Sequence, residues 1–113
     1  MIKVENKGGH TILRILKDND VSGRMAMELK DKIEKFLDNE EIHSLILDLS
    51  EIHHMDSTML RIMLLGHRVF GEKNKKYALI GLSELHKEIL ELASLNNYFR
   101  IYQDEKELSE FQK

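Results

Sequence analysis

Short runs of apolar residues alternate along this chain with longer stretches in which apolar residues recur at helical spacing. The short runs predict β-strands, and the longer stretches predict amphipathic helices. The predicted strands are Ile2–Glu5, His10–Leu16, Leu45–Leu49, Tyr77–Gly81 and Phe99–Tyr102. The predicted helices begin at Ser22 or Gly23, at the triplet Asp56-Ser57-Thr58, after Ser83 and after Asp104.

The order of these elements indicates an α/β fold. Strands that alternate with helices form a mainly parallel sheet through right-handed crossovers. The first two strands surround Asn6-Lys-Gly-Gly9, and this turn predicts an N-terminal antiparallel hairpin strand. We therefore expect one domain over residues 1–113, with a mixed, mainly parallel sheet and about four helices. The third helix carries Leu85, Ile89, Leu92 and Ala93 on one face.

Composition excludes several classes of function. The chain has 113 residues, a net charge of −3 and no cysteine. The negative charge gives no electrostatic basis for binding nucleic acid or an anionic membrane, and without cysteine there are no disulfides or thiolate metal sites. No apolar run approaches membrane-spanning length, and the first residues show no signal-peptide pattern. A cytoplasmic protein without a cofactor is therefore expected.

The sequence disfavours a metal site and a serine hydrolase site. His53-His54 beside Asp56 resembles part of a metal site, but adjacent residues of an extended segment point in opposite directions. Nothing nearby completes a ligand set, so we expect no metal ion. No nucleophile-elbow pattern surrounds Ser57, and no histidine is spaced as its base, so we expect no enzyme activity.

The triplet Asp56-Ser57-Thr58 is the most informative feature of the sequence. It follows a buried strand and a short loop, and it stands at the start of an amphipathic helix. Side chains of this kind cap the free backbone N–H groups of a helix. The same position is also electrostatically favourable for a phosphate group. Ser57 is therefore either a helix cap or a switch.

Other acidic residues are predicted to lie near this hydroxyl. Loops that leave the carboxyl ends of parallel strands gather at one edge of the sheet. Asp18 and Asp20 follow the second strand, whereas Asp48 and Asp56 lie at or beyond the end of the third. Each aspartate alone is explained as a turn former or a cap, but together they predict a hydroxyl surrounded by carboxylates.

The element order and the segment Leu47-Asp-Leu-Ser-Glu-Ile-His-His-Met-Asp-Ser-Thr resemble a STAS domain of the anti-sigma factor antagonist type. Members carry a strand that ends in an Asp-Leu pair, a short loop, and then Asp-Ser-Ser/Thr-Gly-Leu. The resemblance extends from the first strand through Leu95-Asn-Asn-Tyr-Phe-Arg-Ile-Tyr. It implies that Ser57 is the phosphorylated serine and that Asp20 is an acidic residue near it.

In that family the unphosphorylated protein binds an anti-sigma factor, often itself the serine kinase, and so frees the sigma factor. A serine phosphatase restores the active form. The resemblance therefore implies a non-catalytic regulator with these two partners and no direct contact with nucleic acid or membrane. Its partner-binding surface is expected to include Asp20, Asp56, Thr58 and Met59.

One residue departs from the family pattern. Met59 stands where the family usually has glycine, and Leu60 matches the leucine that follows. We expect the Met59 side chain to project from the first turn of the helix, where a kinase or partner approaches. Met55 and Met59 are predicted to form an exposed, adaptable contact surface, whereas Met25 and Met63 are predicted to lie in the core.

Two alternatives stay open. A receiver-like domain phosphorylated on aspartate would also place acidic residues at strand ends, together with Mg²⁺. It is disfavoured because Tyr77–Gly81 leads into Leu82-Ser83-Glu84 without a suitably placed lysine. The second alternative is a STAS scaffold that has lost phosphorylation, with Met59 as the sign of that loss.

Overall fold

The computed structural model describes residues 2–16 and 23–110. The predicted acidic residues Asp18 and Asp20, and Ser22 as a helix start, lie outside these residues. The strands are β1 Ile2–Lys7, β2 His10–Ile15, β3 Ser44–Asp48, β4 Lys76–Ile80 and β5 Ile101–Tyr102. The helices are α1 Gly23–Leu37, α2 Ser57–Glu72 and α3 Glu84–Leu92, followed by a 3₁₀ segment, Glu105–Glu110.

The five strands form one sheet in the order β1-β2-β3-β4-β5. β1 and β2 are antiparallel, and each later pair is parallel. Gly8 and Gly9 join the first two strands with φ angles of +59° and +84°, the geometry that a tight two-residue hairpin turn requires. This confirms the predicted mixed, mainly parallel α/β fold, in which the fourth helix is a 3₁₀ segment.

All three α-helices pack on one face of the sheet. Neighbouring parallel strands joined by right-handed crossovers place their connecting helices on the same side. Leu45 and Leu47 of β3 point to this side and join the main core, whereas Ile46 between them points to the opposite face. On that second face the 3₁₀ segment contributes Leu108, which packs with Ile46 and Ile80.

The α3 helix is rotated relative to the prediction from its apolar residues. The sequence pattern placed Leu85, Ile89 and Leu92 together on one face, yet His86 and Leu90 are the buried residues. Leu85 is 61% exposed and Leu92 is 87% exposed. The helix turns Leu90 into the core and His86 against the loop after β3, so its most apolar stripe faces outward.

Helix α2 packs on the sheet through a close contact between Gly66 and Tyr77. The Tyr77 ring of β4 is buried, and its hydroxyl donates a hydrogen bond to the carbonyl of Met63 at 3.0 Å. A Cβ atom at position 66 would lie only 2.6 Å from Cζ of that ring. Burial also raises the pKa of the Tyr77 hydroxyl. The ring therefore occupies the space that a side chain at position 66 would need.

We expect Gly66→Ala to lower the free energy of unfolding by about 1–3 kcal/mol, because the new methyl group collides with a buried ring. The gain in helix propensity offsets at most about 1 kcal/mol of this loss. Gly71→Ala is the matched control, since nothing lies within 4 Å of a Cβ there. Chemical denaturation of both variants tests this, and equal stability would contradict the proposed packing constraint.

Candidate functional site

At the start of α2, the capping side chain and the exposed hydroxyl belong to two different residues. Asp56 is the N-cap residue, and its side chain accepts a hydrogen bond from the backbone N–H of Met59 at 3.0 Å. Ser57 is the first helical residue and is exposed. Within residues 2–16 and 23–110, its hydroxyl has no hydrogen-bond partner. Asp56 therefore caps the helix, and the exposed Ser57 takes no part in the cap.

The loop before Ser57 is held against the sheet by backbone contacts. The N–H of Leu49 donates to the carbonyl of Ile80 at 2.9 Å, which extends the parallel pairing beyond β3. Gly81 adopts a φ of +79°, and a Cβ there would lie 2.8 Å from the backbone nitrogen of Ser50. A side chain at position 81 would therefore be strained and would push the loop away.

His86 supports the same loop from helix α3. It is buried, and its Nε2 lies 3.2 Å from the carbonyl oxygen of His53. Because a carbonyl only accepts hydrogen bonds, Nε2 carries the proton and donates it. The Nδ1 atom is buried without a hydrogen-bond partner in the described part of the chain. The sequence carries no signal of this role, since a histidine beside leucines in a helix gives no indication of its loop contact.

Asp48 does not join a ring of carboxylates around Ser57, so the prediction was wrong for this residue. Its side chain points to the second face of the sheet, where Arg14 Nη1 lies 2.5 Å from its Oδ2. Arg14 also pairs with Glu5 at 3.1 Å and with Glu105 of the 3₁₀ segment. The alternation of side chains along β3 explains this, because Asp48 shares its face with Ile46.

Ion pairs on this second face stabilise the charged form of two carboxylates. Hydrogen bonds from Arg14, which has the larger effect, and from Lys3 hold the pKa of Glu5 below its usual range. Hydrogen bonds from Lys7, which has the larger effect, and from Arg14 lower the pKa of Glu105. These groups connect β1, β2 and β3 to the 3₁₀ segment, so they serve the fold and not the Ser57 site.

A groove lies beside Ser57, between α1 and α2. It has a volume of about 600 Å³, and Thr58 lines it at the end nearest Ser57. Its remaining lining residues are Ala26, Met27, Lys30, Arg61, Ile62, Leu64, Leu65, Arg68 and Tyr98. Arg61 lies four residues after Ser57 on the exposed side of the same helix, a spacing that brings side chains together.

The sequence pattern of the STAS domain family matches residues 1–108. The chain belongs to the STAS domain family. Its fold is similar to that of the anti-sigma factor antagonist SpoIIAA in its unphosphorylated form, with 12% identity and a TM-score of 0.79. That comparison covers 99% of this chain and 96% of SpoIIAA.

Further solved structures share this fold. The Bacillus cell fate determinant SpoIIAA in the phosphorylated form is 13% identical, with a TM-score of 0.75, over 98% of this chain and 99% of that protein. An anti-sigma factor antagonist from Mycobacterium paratuberculosis is 16% identical, with a TM-score of 0.80, over 100% of this chain and 94% of that one. These similarities establish the fold.

Met59 is the residue at which this STAS chain departs from the family glycine, and it is not exposed. Its side chain is fully buried, on the inward stripe that continues through Met63 and Phe70. Met55 is half-buried and packs against the same core. The predicted projection of Met59 toward a partner is therefore wrong, because the third helical position faces the sheet. Met63 lies in the core as predicted, and the half-buried Met25 packs against that core.

Two features are absent from residues 2–16 and 23–110, a metal-binding cluster and a membrane-spanning helix. No group of three or more histidine, aspartate or glutamate side chains is placed there to hold a metal ion. None of the helices in those ranges is long and apolar enough to cross a membrane.

We expect Met59→Ala to lower the free energy of unfolding by about 2–5 kcal/mol, as for other large buried side chains cut back to alanine. Met27→Ala is the control, because Met27 is 67% exposed, and we expect a change within about 0.5 kcal/mol. Urea unfolding of the two variants compares them directly. A Met59 variant as stable as the wild type would restore the exposed-contact interpretation.

Proposed function

We propose that this chain is a cytoplasmic, non-enzymatic anti-sigma factor antagonist whose partner binding is controlled by phosphorylation of Ser57. The observation that carries the proposal is the division of roles at α2: Asp56 caps the helix, and the Ser57 hydroxyl is exposed beside it. A kinase can therefore modify Ser57 without removing a structural hydrogen bond. The structural relatives support the proposal, since SpoIIAA has solved structures in phosphorylated and unphosphorylated forms.

The partners follow from the same proposal. In the unphosphorylated state the chain binds an anti-sigma factor, which also acts as the serine kinase. A serine phosphatase reverses the modification. The surface that the anti-sigma factor contacts includes Asp56, Ser57 and Thr58, which lie together at the exposed start of α2. Asp20, which lies outside the described residues, belongs to the same proposed surface.

A phosphate on Ser57 is compatible with the fold. The Asp56 carboxylate occupies the N–H of Met59, and the first turn of α2 contains no further acidic residue. The remaining free N–H groups and the helix dipole stabilise an anion there by about 0.3–1 kcal/mol. Arg61 is exposed and four residues further along the helix, so its guanidinium is in reach of the added charge. Phosphorylation is therefore expected to leave the domain folded.

The same phosphate opposes association. Nearly two negative charges on an exposed serine are strongly hydrated, and a docked partner must remove that water. Without a matching cation on the partner, the loss is several kcal/mol, whereas a micromolar complex has only about 8 kcal/mol of binding free energy. Phosphorylation then releases the partner without a conformational change.

The receiver-like alternative gains no support from the site. Asp48 is the aspartate at the end of the central strand, and its carboxylate is occupied by Arg14 and by the N–H and hydroxyl of Ser50. A phospho-aspartate site needs such a carboxylate to be available for Mg²⁺ and the phosphoryl group.

Ser57→Asp should abolish recovery of an anti-sigma factor from extract of the source cells, whereas Ser57→Ala should recover as much as the wild type. The physical reason is the charge that the partner would have to desolvate. Quantitative mass spectrometry of proteins retained by each immobilised variant measures this, and phosphopeptide mapping should place any phosphate on Ser57 and not on Thr58.

Ser83→Asp is the matched control, because it also places a carboxylate at a helix N-terminus: Ser83 caps α3. Its recovery of the anti-sigma factor should equal that of the wild type. The melting temperatures of the Ser57 variants should stay within about 5 °C, which corresponds to roughly 1 kcal/mol for a domain of this size. Equal recovery with Ser57→Asp would favour a scaffold that is not switched by phosphorylation.

A further inference from the structure

The structure has two surfaces on which apolar side chains are exposed. Cations border one of them, and glutamates border the other. The first is the groove between α1 and α2, which we term the basic groove. Its three charged lining residues, Lys30, Arg61 and Arg68, are all cations, on a chain whose net charge is −3. Met27 and Tyr98 line it while 67% and 48% exposed, respectively. The groove therefore offers apolar contact area bordered by positive charge.

The second surface is the outer face of α3, which we term the acidic ridge. Leu85 and Leu92 are two helical turns apart and are 61% and 87% exposed. The half-buried Ile89 lies between them. Exposed glutamates border this stripe at positions 84, 88 and 91. Lys87 is the cation of the helix, and it lies 3.6 Å from Glu84.

These two surfaces hold most of the exposed apolar side chains of the described residues. Of the five large hydrophobic residues exposed there, Met27 and Tyr98 belong to the basic groove, and Leu85 and Leu92 belong to the acidic ridge. Such side chains mark interaction sites when they are clustered and bordered by charge. The remaining one, Val4, lies apart on β1.

We propose that the basic groove of one copy of this chain binds the acidic ridge of a second copy. The ridge presents leucines to the apolar floor and glutamates to Arg61, Arg68 and Lys30. The lengths are similar, because the nine residues of α3 span about 13.5 Å at 1.5 Å per residue, and the stretch of α2 from Thr58 to Arg68 spans about 16.5 Å.

The contact joins two different surfaces, and this determines the kind of assembly. One such contact leaves a vacant groove on one copy and a vacant ridge on the other, so further copies can add through the same contact. One nine-residue helix buries less than a standard protein interface does. The association is therefore reversible and concentration-dependent. It does not require phosphorylation of Ser57, and it stands or falls separately from the proposed function.

Charge reversal on each surface provides the test. Sedimentation velocity from micromolar to millimolar concentration should show that the average mass of the wild type rises past that of a dimer. Arg61→Glu/Arg68→Glu and Glu88→Lys/Glu91→Lys should each weaken association at least about tenfold, because like charges then face each other. An equimolar mixture of the two should associate again, since each groove in it finds a ridge of opposite charge.

The control is Lys32→Glu/Lys35→Glu, which makes the same change in net charge on α1 but outside the basic groove. This variant should associate like the wild type, and circular dichroism should show that all variants are folded. Leu85→Ser/Leu92→Ser keeps every charge and should also weaken association. A wild type that stays monomeric throughout, a control that weakens association equally, or a mixture that does not recover would each overturn the proposal.

Discussion

The contact between Gly66 and Tyr77 determines how helix α2 lies on the sheet, and the exposed site depends on that helix. The tyrosine ring fills the space beside Gly66 and donates its hydrogen bond to the carbonyl of Met63. With that side of the helix held inward, Met59 and Phe70 enter the core. Ser57 and Arg61 then face outward. One packing constraint therefore determines which residues of α2 are buried and which are exposed.

The loop that leads into α2 is constrained from two sides. Gly81 allows β4 to approach the backbone at Ser50, and His86 of α3 donates to the carbonyl of His53. Asp56 then completes the helix cap. These contacts are made by the backbone and by residues other than Ser57. Because the loop is held without the serine hydroxyl, we expect a change of charge on Ser57 to leave the domain folded.

The two faces of the sheet are covered by different elements. The helical face carries the main core and, on its outer side, the basic groove and the acidic ridge. The opposite face is closed by the 3₁₀ segment and by the ion pairs of Arg14 with Glu5, Asp48 and Glu105. Asp48 and Asp56 are close in sequence, yet the strand directs the first to the second face, and the loop brings the second to α2. Of the carboxylates that the sequence predicted to lie together, Asp48 forms ion pairs on the second face and Asp56 caps α2.

The sequence by itself determined the α/β fold, the order of the elements and the place of Ser57 at the start of α2. These follow from local patterns, because hydrophobic period, turn glycines and capping residues act over a few neighbouring positions. Tertiary structure decided what each helix buries. Met59 was predicted to be exposed and lies in the core, whereas the Leu85 and Leu92 stripe is exposed and His86 is buried. A helix with apolar residues on more than one side has no unique inward face until its neighbours pack against it. That rotation is set by contacts between residues far apart in the chain, such as Gly66 with Tyr77 and His86 with His53.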